Sequence, residues 1–405
     1  MAVIRPFRAL RPARESAAAV SAVPYDVVST DEARQLAAGN PLSFLRVTRS
    51  EIDLAPDADP YDARVYTTAA ANLAALRASA PLVVEAEPAL YFYRLRMGGH
   101  EQTGLAGTFS VDEYEHDVIK KHERTRRDKE DDRTRHIIEL RAQTGVVFLT
   151  YRASDAIDQL CRAVTADAPL YDFLAPDGVH HTIWRVGGPE TAALVEALGR
   201  IPALYIADGH HRAASAARAR AEMRRRGEAS EADSFIAVAF PDNQMHILPY
   251  NRTVKDLAGQ TAASFLAAVR HRLPVRDGAA SPHGKGEVSM YLDGAWYAVD
   301  LSAAAPADPS RASSLDVALL QQHVLEPLLK IGDVRSDKRI DFIGGARGTA
   351  ALERAVDSGK AAVAFSMHPV TIDDLMSIAD EGGIMPPKST WFEPKLRDGL
   401  LVHVI

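Results

Sequence analysis

Leu204-Tyr205-Ile206-Ala207-Asp208-Gly209-His210-His211-Arg212, followed by the alanine- and arginine-rich run to Arg226, decides the reading of this chain. The first four residues read as a short buried strand. Ala213 to Arg226 holds strong helix formers with no Pro or Gly, so it reads as a helix. The turn between them carries an acid, a glycine, two imidazoles and a guanidinium. Backbone N–H groups and the positive end of the helix dipole converge at such a turn, which suits it to an anion. Gly209 lets the backbone bend sharply and approach a ligand closely. Arg212 offers a forked donor that matches phosphate or carboxylate oxygens. Asp208 is the odd member, because an acid beside an anion implies a metal or a proton. The plainer alternative is an Asp N-cap followed by surface histidines.

The 405 residues are enough for two or three domains or lobes. Hydrophobic content of 47% and charged content of 25% are those of an ordinary globular protein. A net charge of −7 argues against nucleic-acid binding over the whole surface. Cys161 is the only cysteine, which excludes an internal disulfide and a multi-cysteine metal site. Its apolar helical context makes it an expected inert core thiol. The N-terminus lacks the apolar run of a signal peptide, and no stretch has the length of a membrane span. A cytoplasmic protein is the expectation.

Along the chain, Ser29 or Thr30 can cap a short helix over Asp31–Ala38, and Tyr61–Ser79 reads as a second helix. Ala89–Met97 and Gly104–Tyr114 read as strands. The most charged segment, Val118–Leu140, reads as one helix. On it His122, Thr125, Lys129, Asp132, Arg133 and His136 share a face, either open to water or lining a polar cleft. Val146–Tyr151 and His180–Val186 read as strands, and Asp155–Thr165 and Pro189–Leu198 as helices. Ser234–Phe240 and Met245–Tyr250 read as a hairpin turning at Asp242-Asn243. Further on, the expectations are a helix over Ala258–Arg272 and a hairpin turning at Asp293-Gly294. A loop over Pro306–Ser313, an amphipathic helix over Leu315–Leu329 and an extended tail from Met385 to Lys395 complete the reading. The predicted domains are 1–250, a core with insertions, and 251–405, a C-terminal α/β region packing on it.

Several chemistries lack their motif. There is no Gly-x-x-x-x-Gly-Lys-[Ser/Thr] loop, no Gly-x-Gly-x-x-Gly after a strand, and no Gly-x-Ser-x-Gly. His122-Glu123 has no histidine at position 126, so it is no zinc-protease motif. Adjacent histidines on a strand, as at His180-His181, point to opposite faces and make poor zinc pairs.

Taken together, Pro24-Tyr25-Asp26, His122-Glu123 with Thr125, Lys129, Asp132 and Arg133, Asp208 to Arg212, and Pro386-Pro387-Lys388-Ser389-Thr390 resemble a known family over nearly the full chain. It is the domain-of-unknown-function family numbered 1015, often filed beside the ParB-type chromosome-partitioning proteins. Gly209-His210-His211-Arg212 is also similar to the Gly-x-x-Arg signature of the ParB and sulfiredoxin fold, whose members bind nucleotides there. Free-serine kinases of that superfamily carry nearly the same Asp-Gly-His-His-Arg string and phosphorylate L-serine with ADP or ATP. The resemblance implies a mixed α/β fold with a ParB/sulfiredoxin-like nucleotide-binding core. It also implies a cytoplasmic kinase that uses ATP or ADP with Mg²⁺ on free serine or a related small hydroxy compound. Glu123, Asp208, His210 and His211 are the candidate catalytic residues. Gly209, His210, His211, Arg212, Lys129, Arg133, Lys388, Ser389 and Thr390 are candidates to hold the nucleotide. Tyr25, Asp26, His122 and Thr125 are candidates for the acceptor, and Asp208 and Asp26 for the metal. The alternatives are a nucleotide-binding regulatory protein and a hydrolase using His210 or His211 as base. Membrane and DNA partners are not expected; a homodimer is compatible with the reading.

Overall fold

Ser234–Pro241, Ser-Phe-Ile-Ala-Val-Ala-Phe-Pro, is buried at every position. A run this apolar belongs at the centre of a sheet covered on both faces. It occupies that place in a nine-stranded mixed sheet. The computed structural model describes residues 2–79, 82–228, 231–304 and 310–405, so the expected Pro306–Ser313 loop lies partly outside the described residues. The chain divides into two compact units. Unit 1 comprises 1–121, 125–245 and 394–405; unit 2 comprises 122–124 and 246–393. The division is not contiguous in sequence, because the last twelve residues and a three-residue stretch near position 123 cross the expected boundary.

In unit 1 the sheet runs in the order Ile119–Lys120, Leu204–Asp208, Val147–Tyr151, Ser234–Pro241, His100–Ser110, Leu90–Met97, His180–Val186, Tyr171–Leu174, with Ile4–Arg5 added on His100–Ser110. Ser234–Pro241 is parallel to Val147–Tyr151 and antiparallel to His100–Ser110. The helix His210–Arg225 buries ten residues, five of them alanines, and the small side chains let it approach its neighbours closely. Ser29, one of the two expected caps, caps Thr30–Ala37 and forms a capping box with Glu32.

The charged segment departs from expectation. Helix begins only at Arg127, and Ile119–Lys120 forms a strand parallel to Leu204–Asp208. Ile119 is fully buried there, so sheet pairing outweighs the local composition. His122 and Thr125 are therefore on no helical face. Lys129, Asp132, Arg133 and His136 do share one, and its Asp132 and His136 are buried rather than open to water. The expected hairpin of Ser234–Phe240 with Met245–Tyr250 does not form either. Asp242–Gln244 is a single 3₁₀ turn. Ile247–Leu248 pairs with Trp391–Phe392, and Tyr250–Val254 enters the sheet of unit 2.

Unit 2 is built on a six-stranded antiparallel sheet in the order Val275–Asp277, Ala295–Asp300, Glu287–Leu292, Val363–Ser366, Tyr250–Val254, Ile340–Gly344. Asp293 and Gly294, with φ of 49° and 78°, make the expected two-residue hairpin turn. The amphipathic segment 315–329 is not one regular helix. Asp316–Leu320 is α, Gln321–Leu325 is π, and Glu326–Leu329 is α again. Pro327 explains the wide turn, since a proline ring collides with the carbonyl four residues back in a regular α-helix.

Candidate functional site

The strand Leu204–Asp208 leads into Gly209, whose φ of +94° only glycine adopts without strain, and the helix starts at His210. His210, His211 and Arg212 thus form the first helical turn, one turn earlier than the sequence suggests. The first N–H groups of any helix have no acceptor inside it, and the dipole is positive there. Gly209→Ala is expected to cost about 1–2 kcal/mol of unfolding free energy, the penalty for a Cβ in left-handed backbone. Urea denaturation reads this directly, and an unchanged midpoint would refute it.

Arg212 does not face outward. Its guanidinium is buried, donating from one NH₂ to Val146 O at 2.7 Å and from the other to both oxygens of Asp26 at 2.7 and 2.8 Å. The forked donor expected to meet a phosphate is already engaged inside the protein. Burial works against its charge, and Asp26, Asp208 and Asp398 more than restore it. Tyr25 lies against two guanidiniums, with Arg133 Cζ 4.4 Å and Arg212 Cζ 5.7 Å from its ring centre. Arg133 in turn donates to Asp132 at 2.7 Å and to Thr48 O at 3.2 Å. A cavity of about 30 Å³ adjoins Tyr25, Arg133, Gly145 and Arg212. Arg212 Nε is buried without a hydrogen-bond partner. That volume suits a water molecule or two rather than a nucleotide.

Asp208 accepts from Lys395 Nζ at 2.8 Å. Burial pushes its carboxyl upward, but Lys395 and Arg212 outweigh this and hold it well below the usual carboxylate range. Asp398 is buried close to the backbone of Val146 and Tyr25, and its Oδ2 has no hydrogen-bond partner. Burial pushes it up to about 7 although Arg212 draws it down. Lys395 and Asp398 are the residues that sequence reasoning missed. The available signal was a charged cluster, Lys395-Arg397-Asp398, inside an otherwise apolar terminus.

The other candidates in unit 1 are less concentrated. His211 Nε2 accepts from Arg126 N at 3.0 Å, which places the ring proton of a neutral imidazole on Nδ1 and occupies the lone pair a general base would use. His210 is buried. Thr125 donates to Glu130. Lys129 Nζ donates to Tyr61 OH at 2.8 Å on the surface. His136 donates to or accepts nothing from the turn; its Nε2 meets Val47 O at 3.0 Å, and burial, helped by Arg133, takes it down to about 3. Cys161 is pushed up to about 11 by burial, in keeping with an inert thiol.

In unit 2, Met385 N donates to His122 O at 2.8 Å, joining the His122–Arg124 stretch to the proline-rich tail. Lys388 has φ of +59°, and its Nζ lies 5.5 Å from the Tyr250 ring centre. Ser389 Oγ donates to Pro386 O at 2.6 Å, closing the turn on itself. Thr390 is half-buried beside it. Glu123 lines a pocket of this unit with Pro386 and Pro387.

As metal ligands the two aspartates differ. Both oxygens of Asp26 are bound to Arg212, so Asp26 does not fit a metal ion in this arrangement. Asp208 keeps one oxygen beyond the one that meets Lys395.

These observations define a mixed α/β protein with a rigidly tied strand–glycine–helix turn. The chain belongs to the family described as protein of unknown function, DUF1015, whose family model matches residues 4–318. No curated protein matches it. Among solved structures it is similar to a free serine kinase in complex with AMP, at 12% identity and TM-score 0.38, covering 73% of this chain and 91% of that one. It is also similar to SbnI with a C-terminal truncation from Staphylococcus aureus, at 12% identity and TM-score 0.41, covering 74% and 87%. A conserved hypothetical protein from Pyrococcus furiosus matches at 13% identity and TM-score 0.37, covering 74% and 95%. No helix among the described residues is long and apolar enough to cross a membrane.

Proposed function

We propose that the protein is a nucleotide-dependent phosphotransferase acting on a small hydroxylated acceptor, free serine or a related compound. The observation that supports this best is the glycine turn at Gly209, which presents a helix N-terminus and is tied down on both sides by Arg212–Asp26 and Lys395–Asp208. A preorganised set of donors is what phosphate groups need, since phosphoryl transfer is mainly positioning and charge neutralisation. The Asp-Gly-His-His-Arg string that resembles the free-serine kinases supports the same reading. Arg212 is then a positioning residue, holding the turn rather than the phosphate.

In the proposed reaction the acceptor hydroxyl oxygen bonds to the terminal phosphorus of ATP or ADP, the bond to the departing nucleotide breaks, and the hydroxyl proton passes to a carboxylate. Asp208, held ionised by Lys395 and Arg212, suits an electrostatic role and would hold Mg²⁺ through its remaining oxygen. When bound, that ion would neutralise phosphate charge. Glu123 is the proposed proton acceptor. Glu123→Gln should lower turnover at least about a hundredfold with little change in nucleotide affinity. Phosphorus NMR of the full chain with ATP or ADP, with and without serine and related hydroxy compounds, tests the reading. Transfer that requires the acceptor supports it. Hydrolysis without an acceptor, or no nucleotide binding by calorimetry, refutes it.

A further inference from the structure

Unit 2 contains a pocket of about 300 Å³, within the range of small-molecule sites. Three arginines line it: Arg124, Arg252 and Arg335. Arg124 and Arg335 are exposed, and Arg335 pairs with Asp333 at 3.1 Å. Arg252 differs from both. It is 3% exposed, and its two NH₂ groups donate to the backbone carbonyls of Tyr250 and, at 3.0 Å, Lys388. Its Cζ lies 5.6 Å from the Phe342 ring centre. No carboxylate among the described residues forms an ion pair with it, and burial draws it down to about 10.

A buried cation without a counter-charge is costly, unlike Arg212, which has Asp26. Carbonyl oxygens satisfy its hydrogen atoms in part but bring no net negative charge. A second feature marks the same pocket. The π turn Gln321–Leu325 puts Gln321 and Leu325 on its wall, and such turns recur at functional sites. Gln321 Nε2 is held by Ile331 O at 2.7 Å, which fixes this wall of the pocket. Met385 and Pro386 supply an apolar wall. Glu123 and Asp333 also line the pocket, so it is not uniformly positive and does not suit an extended polyanion.

We propose that this pocket binds a small ligand bearing one compact oxyanion, a phosphate or a carboxylate, which takes the Arg252 guanidinium as its counter-charge. The site lies wholly within unit 2; it shares Glu123 with the phosphotransferase reading, but it rests on Arg252 and stands or falls without that reading. Thermal melting of the full chain, titrated with sodium phosphate or sodium acetate at constant ionic strength, tests it. The wild type should show a saturable rise in Tm with at least one of them. A response to phosphate alone assigns a phosphate ligand, and a response to acetate alone a carboxylate. In Arg252→Met the saturable rise should vanish, whatever its Tm without added anion. Arg252→Lys, which keeps the charge and loses the fork, should bind at least about tenfold more weakly. Arg335→Ala should keep the response. Because phosphate is also a fragment of a nucleotide, Gly209→Ala separates the two sites. A rise kept in Gly209→Ala and lost in Arg252→Met supports the proposal. A rise kept in Arg252→Met, or no saturable rise with either anion, overturns it.

Discussion

Arg212→Ala is expected to lower the unfolding free energy by about 3 kcal/mol or more, the range for breaking a buried ion pair by removing one partner being about 3–5 kcal/mol. The guanidinium is 6% exposed and satisfies Val146 O as well as Asp26. Its removal leaves that carbonyl without its side-chain donor and takes the main positive charge away from Asp26 and Asp398. Asp208 suffers less, because Lys395 remains. The Asp26 side chain is 37% exposed, so water recovers part of its solvation and the effect belongs at the lower end of the range. Arg212→Lys should recover only part of the loss, since an ammonium cannot bridge Val146 O and Asp26 in a plane. Urea denaturation of the three proteins measures this. A loss below about 1 kcal/mol, the size of an exposed pair, would show that the network does not hold the turn.

Asp398→Asn should make stability less dependent on pH. In the folded protein this carboxyl titrates near 7, against about 3.9 in an unfolded chain. A raised carboxyl pKa means that the folded state binds the proton more tightly. The stability this confers is fully present below about pH 4 and is lost as pH rises toward 7. The largest loss is about 4 kcal/mol over that interval. Asn keeps nearly the same shape and a polar oxygen but never ionises. The stability of Asp398→Asn minus that of the wild type should therefore grow between pH 4 and pH 8. Parallel pH curves for the two proteins would sink the assignment. The two predictions are coupled, because Arg212 favours the ionised form of Asp398. Arg212→Ala should therefore cost more at pH 8 than at pH 5.

The sequence by itself determined the elements whose signal is local. The strand before Asp208, a cap at Ser29 or Thr30 and the Asp293-Gly294 hairpin turn each depend on residues within a few positions of one another. The need for glycine at 209 was legible for the same reason, since a sharp strand-to-helix turn is a local demand on the backbone. Only the tertiary structure decided what the charged residues do. Arg212 read as an open phosphate fork because a sequence shows the donor and hides its acceptors; those acceptors, Val146 O and Asp26, come from 66 and 186 residues away. The charged run from Val118 read as one helix because composition is local, whereas the strand at Ile119–Lys120 is stabilised by pairing with Leu204 and Tyr205. Lys395 and Asp398 carried no motif that distinguishes them from other charged residues. Their roles arise from burial beside the Asp208 turn, and burial at that distance in sequence is a property of the folded chain alone.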